Sequence, residues 1–325
     1  MTKKLFVAPS PHLHSGASTR RIMLDVILAL MPAFVVSVVI FGISALLVTL
    51  LAVLSCVASE HIISRYVAGE KRSSVGDLSA VLTGLLLGFN LPSSIPWWIV
   101  VMGAVVAIGV AKMSFGGIGK NPFNPALVGR VFLLIAYPVQ MTTFPQVESS
   151  VDIYSGATPL AALKMGGENF TISNVDLWGV ASGNISGSLG EVAAVALLLG
   201  GAYLLWRKVI SWHIPVSIFV TMAVVAALYA LCSGYGVAEV GEFSLFHILA
   251  GGAVLGAVYM ATDYSTSPMT PRGMLIYGVG IALITMFIRL WGAYPEGMSF
   301  AILIMNSCVP LINKYVKPKR FGVVK

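Results

Sequence analysis

Long apolar runs separated by short polar stops constrain this chain more than any other feature. From Ile22 to Ile63 about forty mostly apolar residues pass with only Gly42 to mark a turn. Hydrophobic residues make up 57% of the chain and charged residues 10%, too little polar surface to cover a water-soluble globule of this size. The chain therefore reads as an integral membrane protein. The polar lead Met1 to Arg20 is too long for a secretory signal, and no cleavage-like site follows the first apolar stretch, so the first helix is expected to stay attached.

Taking about 20 apolar residues per crossing and allowing shorter, interrupted helices, the pattern predicts about ten spans. The first half holds Ile22 to Phe41, Ile43 to Ile63, Leu78 to Asn90, Trp97 to Ala111 and Pro125 to Tyr137. The second holds Val192 to Trp206, Ile214 to Leu231, Phe246 to Thr262, Met274 to Leu290 and Phe300 to Leu311. The expected fold class is an all-α integral membrane protein with short or broken helices. It divides into residues 1–137 (tail and first helices), a polar loop at 138–190, and residues 191–325 (second helices and basic tail).

Charge placement orients these spans, because Lys and Arg concentrate in cytoplasmic loops. With a cytoplasmic N-terminus, only Lys164 and Arg289 of the 20 basic residues fall on the far side. The far side instead collects acids such as Glu148, Asp152, Glu168, Asp176, Glu239 and Glu296. Both termini are thus expected in the cytoplasm and the 138–190 loop outside it. The net charge of +7 then reflects orientation against acidic membrane lipids and calls for no nucleic acid.

A weak internal repeat matches Gly84-Leu85-Leu86-Leu87-Gly88 to Gly252-Ala253-Val254-Leu255-Gly256, each short helix running into a polar, proline-containing break. Five spans per half would make the halves two inverted five-helix repeats, upside down to one another, an architecture that builds sites near the bilayer midplane. Glycines spaced by four also simply let helices approach closely, and that packing reading is preferred for the glycines themselves.

The 138–190 loop contains Asp152-Ile153-Tyr154-Ser155-Gly156-Ala157-Thr158. Ser-Gly-Ala-Thr alone is an ordinary turn. With Asp152 at its offset, the heptad resembles the Dxx(S/T)GAT signature in which a flavin transferase esterifies the threonine with the phosphate of FMN. Three further stretches extend the likeness: Ser114-Phe115-Gly116-Gly117-Ile118-Gly119-Lys120-Asn121-Pro122-Phe123-Asn124-Pro125-Ala126, Thr262-Asp263-Tyr264-Ser265-Thr266-Ser267-Pro268 and Tyr294-Pro295-Glu296-Gly297-Met298-Ser299-Phe300-Ala301. Together they resemble the NqrB/RnfD family over nearly the whole chain. The likeness is closer to the RnfD subunits of ion-translocating Rnf electron-transport complexes. NqrB-type subunits of sodium-pumping NADH:quinone reductases carry a longer N-terminal extension. Tyr264 stands where the family's TDPxTSP-like segment has a proline.

The resemblance implies FMN joined covalently to Thr158 by a phosphoester, with Asp152, Ser155, Gly156 and Ala157 forming the motif that a flavin transferase reads. It implies an electron-relaying subunit, inactive alone, of a bacterial inner-membrane ferredoxin:NAD oxidoreductase that moves Na+ or H+. The implied partners are a flavin-bearing G-type subunit, A- and E-type membrane subunits, and B and C redox subunits. Phe144, Tyr154, Phe170 and Trp178 are loop aromatics that could shield the ring or pack the loop. No acid–base pair or nucleophile triad is needed, so no catalytic residue is assigned.

The glycine-rich stretch fails the Walker pattern, since Asn121 follows Lys120 and Ser114 stands where the first glycine belongs. It also fails the dinucleotide pattern, because Pro122 replaces the third glycine. A structural role is preferred, with Asn121 and Asn124 bonding peptide groups freed at a helix break. If the stretch binds a ligand, the NqrB relationship suggests a second, non-covalent flavin (riboflavin). Cys56, Cys232 and Cys308 are isolated and read as small core residues, not iron–sulfur ligands. His12 and His14 make a poor metal site, and none is assigned. Asp25 is expected to pair with Arg21 one turn away, and Arg130 and Asp263 are balanced between structural and functional roles. The competing classes are a flavin-free channel or carrier of the same fold and a structural anchor for redox partners.

Overall fold

A computed structural model of the chain describes residues 18–67, 74–145, 155–156, 158–165, 177–183, 186–190 and 194–317. Helix α1 (Thr19–Phe41) opens on Ser18, whose hydroxyl accepts from Arg21 N. It ends at Gly42, whose φ of 68° turns the chain into α2 (Ile43–Ile62). A π-helical turn at Ile63–Val67 extends α2. Then follow α3 (Ser79–Phe89), α4 (Trp97–Val105, continued as a π-helix over Val106–Val110) and α5 (Pro125–Ala136). The polar loop contributes α6 (Pro138–Thr142), an antiparallel pairing of β1 (Phe144–Pro145) with β2 (Ser155–Gly156), α7 (Pro159–Met165) and α8 (Leu177–Ser182). The remainder is α9 (Ala194–Trp206), α10 (His213–Cys232), α11 (Val237–Leu249), α12 (Ala253–Leu255, continued as a π-helix over Gly256–Met260), α13 (Pro271–Trp291) and α14 (Met298–Tyr315).

Five of these stretches are long and apolar enough to cross a bilayer: Thr19–Phe41, Ile43–Val67, Trp97–Phe115, His213–Cys232 and Pro271–Trp291. A sixth counts if Glu239–Leu249 and Ala253–Met260, bent by 61°, are one broken span. Helices α3, α5 and α9 are apolar but shorter. The eighth span, expected to run on from Phe246, instead divides at Gly251 and Gly252, whose φ values of 68° and 64° suit glycine. Helix α11 escaped the hydropathy reading because Glu239, Glu242 and His247 dilute its apolar character.

The distribution of side chains is that of a protein in lipid. On α1 the buried stripe is Asp25, Ala29, Leu30, Ala33 and Ser37, whereas Leu28, Val35 and Val39 are exposed, the last 77%. A water-soluble helix does the reverse. Small residues bring the helices together, as packing in membranes requires. A Cβ on Gly84 would stand 2.5 Å from Val53 Cα, and one on Gly88 would stand 3.1 Å from Thr49 Cα. This supports the packing reading of those glycines. Gly84 lies inside α3 while Gly252 caps the start of α12, so the two do not hold equivalent helical positions.

Every helix break in an apolar medium needs polar partners for its freed peptide groups, and these are identifiable here. At the end of α3, Gly190 N donates to Phe89 O at 2.7 Å and Leu189 N to Leu91 O at 3.2 Å. Ser37 Oγ donates to Leu189 O at 2.6 Å, fastening that strap to α1. At the break between α11 and α12, Arg289 donates to the carbonyls of His247 (2.5 Å), Ala250 (2.9 Å) and Gly251 (3.1 Å). Arg289→Met should lower stability by at least about 4 kcal/mol, since three hydrogen bonds to a charged donor are lost and each contributes roughly 1.5–3 kcal/mol. Thermal melting in detergent checks this, and an unchanged midpoint would refute the role.

Candidate functional site

Thr158 immediately precedes α7 and is 5% exposed. Its Oγ1 accepts from Ala161 N at 3.2 Å and its carbonyl from Ala162 N at 2.8 Å, so the threonine caps the short helix. The residue also lines a cavity of about 310 Å³. Leu134, Met141, Phe144, Met165 and Tyr294 give that cavity apolar and aromatic walls. Among the described residues, its charged lining is two cations, Arg130 and Lys164, and one carboxylate, Glu296.

The basic groups in this cavity are held by distant parts of the chain. Lys164 donates to Ile288 O (3.1 Å) and Tyr294 O (2.9 Å), tying α7 to the end of α13. Burial lowers the Lys164 pKa from the usual ammonium range. Arg130, on α5, donates through Nη1 to Asn90 Oδ1 (2.7 Å) and Ser299 Oγ (2.9 Å), and through Nη2 to Glu296. Asn90 sits at the break that ends α3, so the cavity reaches from the polar loop to that break.

A second, narrower cavity of about 90 Å³ lies beyond it, lined by Ser79, Lys112, Asn121, Asn124, Tyr259 and Asp263 among others. Met260 connects the two. Asn90 Nδ2 approaches Met260 Sδ at 3.8 Å, and Asn124 Nδ2 donates to Met260 O at 3.2 Å. Asn124 also caps α5 through Oδ1, accepting from Ala126 N and Leu127 N. Asn121 instead closes a local turn, donating to Phe123 O at 3.0 Å. Asn124 therefore bonds a peptide group at a helix break, as expected, and Asn121 does not.

Asp263 follows this break and is half-buried, its Oδ2 accepting from Ser265 Oγ (2.9 Å) and Thr266 Oγ1 (3.3 Å). Burial raises its pKa above the ordinary 3.8, against those hydrogen bonds. A raised carboxyl contributes stability below the unfolded value and loses it as pH rises through the folded one. Asp263→Asn should thus melt no lower than the parent at pH 7. Its advantage should shrink as the pH falls toward 3.8; a melting midpoint lowered at pH 7 would contradict this.

The sequence-derived residues divide clearly. Thr158 and Phe144 line the cavity. Ser155 and Gly156 lie in β2, paired with Pro145 and Phe144 respectively. Asp152, Ala157, Tyr154 and Phe170 lie outside the described residues. Trp178 is 76% exposed and not among the cavity's walls. Asp25 is paired with Arg207 (3.2 Å) and Tyr203 Oη (3.2 Å) rather than with Arg21, because the buried stripe of α1 turns Asp25 toward α9 while Arg21 is exposed. Of the cysteines, Cys56 is buried, Cys308 half-buried and Cys232 exposed at the end of α10, so Cys232 is no core residue. Tyr264 donates its hydroxyl to Val209 O, a strap that proline could not supply.

Sequence reasoning missed Lys164, Tyr294, Glu296 and Asn90 as site residues. The signal was available for Lys164 and Arg289, the two cations that the charge pattern sets apart from the other basic residues. Both donate to backbone carbonyls. A buried pair was also missed: Lys112 Nζ lies 2.5 Å from Glu60 Oε2, with Glu60 0% and Lys112 3% exposed.

Comparison with known proteins places the chain. The family model described as the NQR2, RnfD, RnfE family matches residues 6–322. This chain belongs to that family. A relative from Acetobacterium woodii, named as the D-type subunit of a "Na(+)-translocating ferredoxin:NAD(+) oxidoreductase complex", is 44% identical over 99% of this chain and 96% of its own length. One from Clostridium ljungdahlii, named as the D-type subunit of a "Proton-translocating ferredoxin:NAD(+) oxidoreductase complex", is 40% identical over 98% and 97%. The corresponding protein of an "Ion-translocating oxidoreductase complex" from Yersinia enterocolitica is 36% identical over 97% and 98%. Membership of the NQR2, RnfD, RnfE family and the apolar outer surface agree that this is a multi-pass membrane protein.

Proposed function

We propose that this chain is the D-type subunit of a ferredoxin:NAD oxidoreductase complex that couples electron transfer to movement of Na+ or H+, and that it relays electrons through FMN esterified to Thr158. The subunit identity is supported by full-length similarity to relatives bearing that name. The site is supported by one observation above others: Thr158 is among the residues that line a cavity.

The residues present fit such a group. A phosphoester needs an oxygen beside free space, cations for its charge and an apolar, aromatic slot for the ring. Thr158, the cations Arg130 and Lys164, and the walls Phe144 and Tyr294 supply these. At about 310 Å³, the cavity lies near the lower end of ordinary ligand pockets, roughly 300–1,000 Å³. When bound, the flavin supplies one- and two-electron exchange. The chain's own task is to hold it, exclude water through the apolar walls and fix nearby charge. A second, non-covalent flavin is not placed in the narrower cavity, whose about 90 Å³ falls well below roughly 300 Å³.

In this reading the protein lies in the bacterial inner membrane with both termini cytoplasmic and Thr158 on the opposite face. A flavin transferase loads it during maturation, and B, C, G, A and E-type subunits carry the remaining redox and membrane functions. The test is peptide mass mapping of protein from a host that makes the transferase. The Thr158 peptide should be heavier by one FMN, and the denatured band should fluoresce; a uniformly unmodified peptide would sink the proposal. A colourless protein would favour the flavin-free carrier.

A further inference from the structure

The Thr158 cavity contains a charge arrangement that holding the helices together does not require. Arg130 is 8% exposed, and ionisable groups in such surroundings are expensive even when paired. Apolar residues of similar volume would pack this floor at no such cost. The guanidinium is nevertheless fixed from three parts of the chain: Asn90 at the α3 break, Ser299 in the first turn of α14, and Glu296 just before that helix. Both members of the ion pair border the same cavity as Thr158. Among the described residues, Glu296 is the one carboxylate that lines it.

We infer that Arg130 and Glu296 are opposed positioning residues for the group on Thr158, Arg130 favouring its reduced form and Glu296 holding that preference in check. The inference rests on reading Thr158 as a flavin anchor. Its physical basis is that electrons added to the ring increase its negative charge. A guanidinium lining the same cavity stabilises that charge, and a carboxylate beside it opposes it. Arg suits this role because its planar fork stays charged and is locked by several acceptors at once. The same hydrogen bonds run to Asn90 and on to Met260, so the charge balance is set where the polar loop meets the helix break.

The experiment is a potentiometric titration of the flavin absorbance in the purified complex, for the parent and for Arg130→Gln, Arg130→Lys and Glu296→Gln. The flavin content of the Thr158 peptide is measured by mass in each sample. Glu296→Gln should raise the midpoint and Arg130→Gln should lower it, each by about tenfold in the reduced-to-oxidised ratio, about 30 mV for a two-electron couple. Arg130→Lys keeps the charge and should fall between Arg130→Gln and the parent. Loosened packing would move both neutral variants in the same direction, so opposite signs separate the electrostatic role from a structural one. If Arg130→Gln does not accumulate, Glu296→Gln and Arg130→Lys decide the matter by the same signs. Shifts of one sign, no shift, or loss of flavin from Glu296→Gln would overturn the inference while leaving the Thr158 assignment standing. An unmodified Thr158 peptide in the parent would remove both.

Discussion

Thr158→Val should yield a protein that folds and reaches the membrane but carries no covalent flavin. Valine nearly matches threonine in shape and replaces the hydroxyl with a methyl group, so the buried position stays filled. The structural loss is the cap bond from Ala161 N, worth about 1 kcal/mol. That is small beside the roughly 5–15 kcal/mol of a typical domain, so failure to fold would not explain a missing cofactor. The expected result is complete loss of the in-gel flavin signal and of the added mass, with the melting midpoint shifted by only a few degrees. In the assembled complex, ferredoxin-dependent NAD reduction should fall to background. If electron transfer persisted in the Val variant, the structural-anchor reading would replace the relay; if the flavin band persisted, the acceptor would be another residue.

The second large effect concerns stability. Lys112→Met removes the cation from beside Glu60, which is fully buried. Breaking one side of a buried ion pair costs about 3–5 kcal/mol, because the remaining charge stays desolvated. The cost should spread beyond the pair. Lys112 also donates to Ser79 Oγ at 2.6 Å, and Ser79 Oγ donates to Asp77 Oδ1 at 2.5 Å. That chain fixes the start of α3, where Leu78 adopts a left-handed φ of 65° that a leucine rarely holds. The double variant Glu60→Leu/Lys112→Met should recover most of the loss, since apolar replacements for a buried pair are often neutral. Melting in detergent distinguishes the outcomes: a single variant as stable as the parent, or a double variant worse than the single, would contradict the account.

How much was legible in advance depended on the range of the forces involved. Thr158 could be singled out because its motif is contiguous, and the α1–α2 boundary because Gly42 interrupts an apolar run. Asn124 was legible as a residue that bonds peptide groups at a helix break, whereas its role as the α5 cap came from the structure. Helix α11 was not legible, because Glu239, Glu242 and His247 dilute the apolar run on which a hydropathy reading depends. Asp25 was assigned to Arg21 by helical spacing, yet Arg207 won, since Asp25 lies on the stripe of α1 that packs inward. Lys164 and Arg289 could be noticed only as exceptions to the charge pattern. Their reason lies in carbonyls freed at helix ends that no linear pattern reveals.

By itself the sequence determined that the chain lives in lipid, where its long apolar helices run, where glycine and proline interrupt them, and which family motifs it carries. These follow from composition and short-range periodicity, and both act within a few turns of one helix. Only the tertiary structure decided that Thr158 would be buried against a cavity and that Arg130 would meet Glu296, a partner 166 residues away. A hydrogen bond depends on position in space, and in an apolar medium an unsatisfied peptide group or charge costs several kcal/mol. The packing of broken helices therefore selects which distant polar groups must come together.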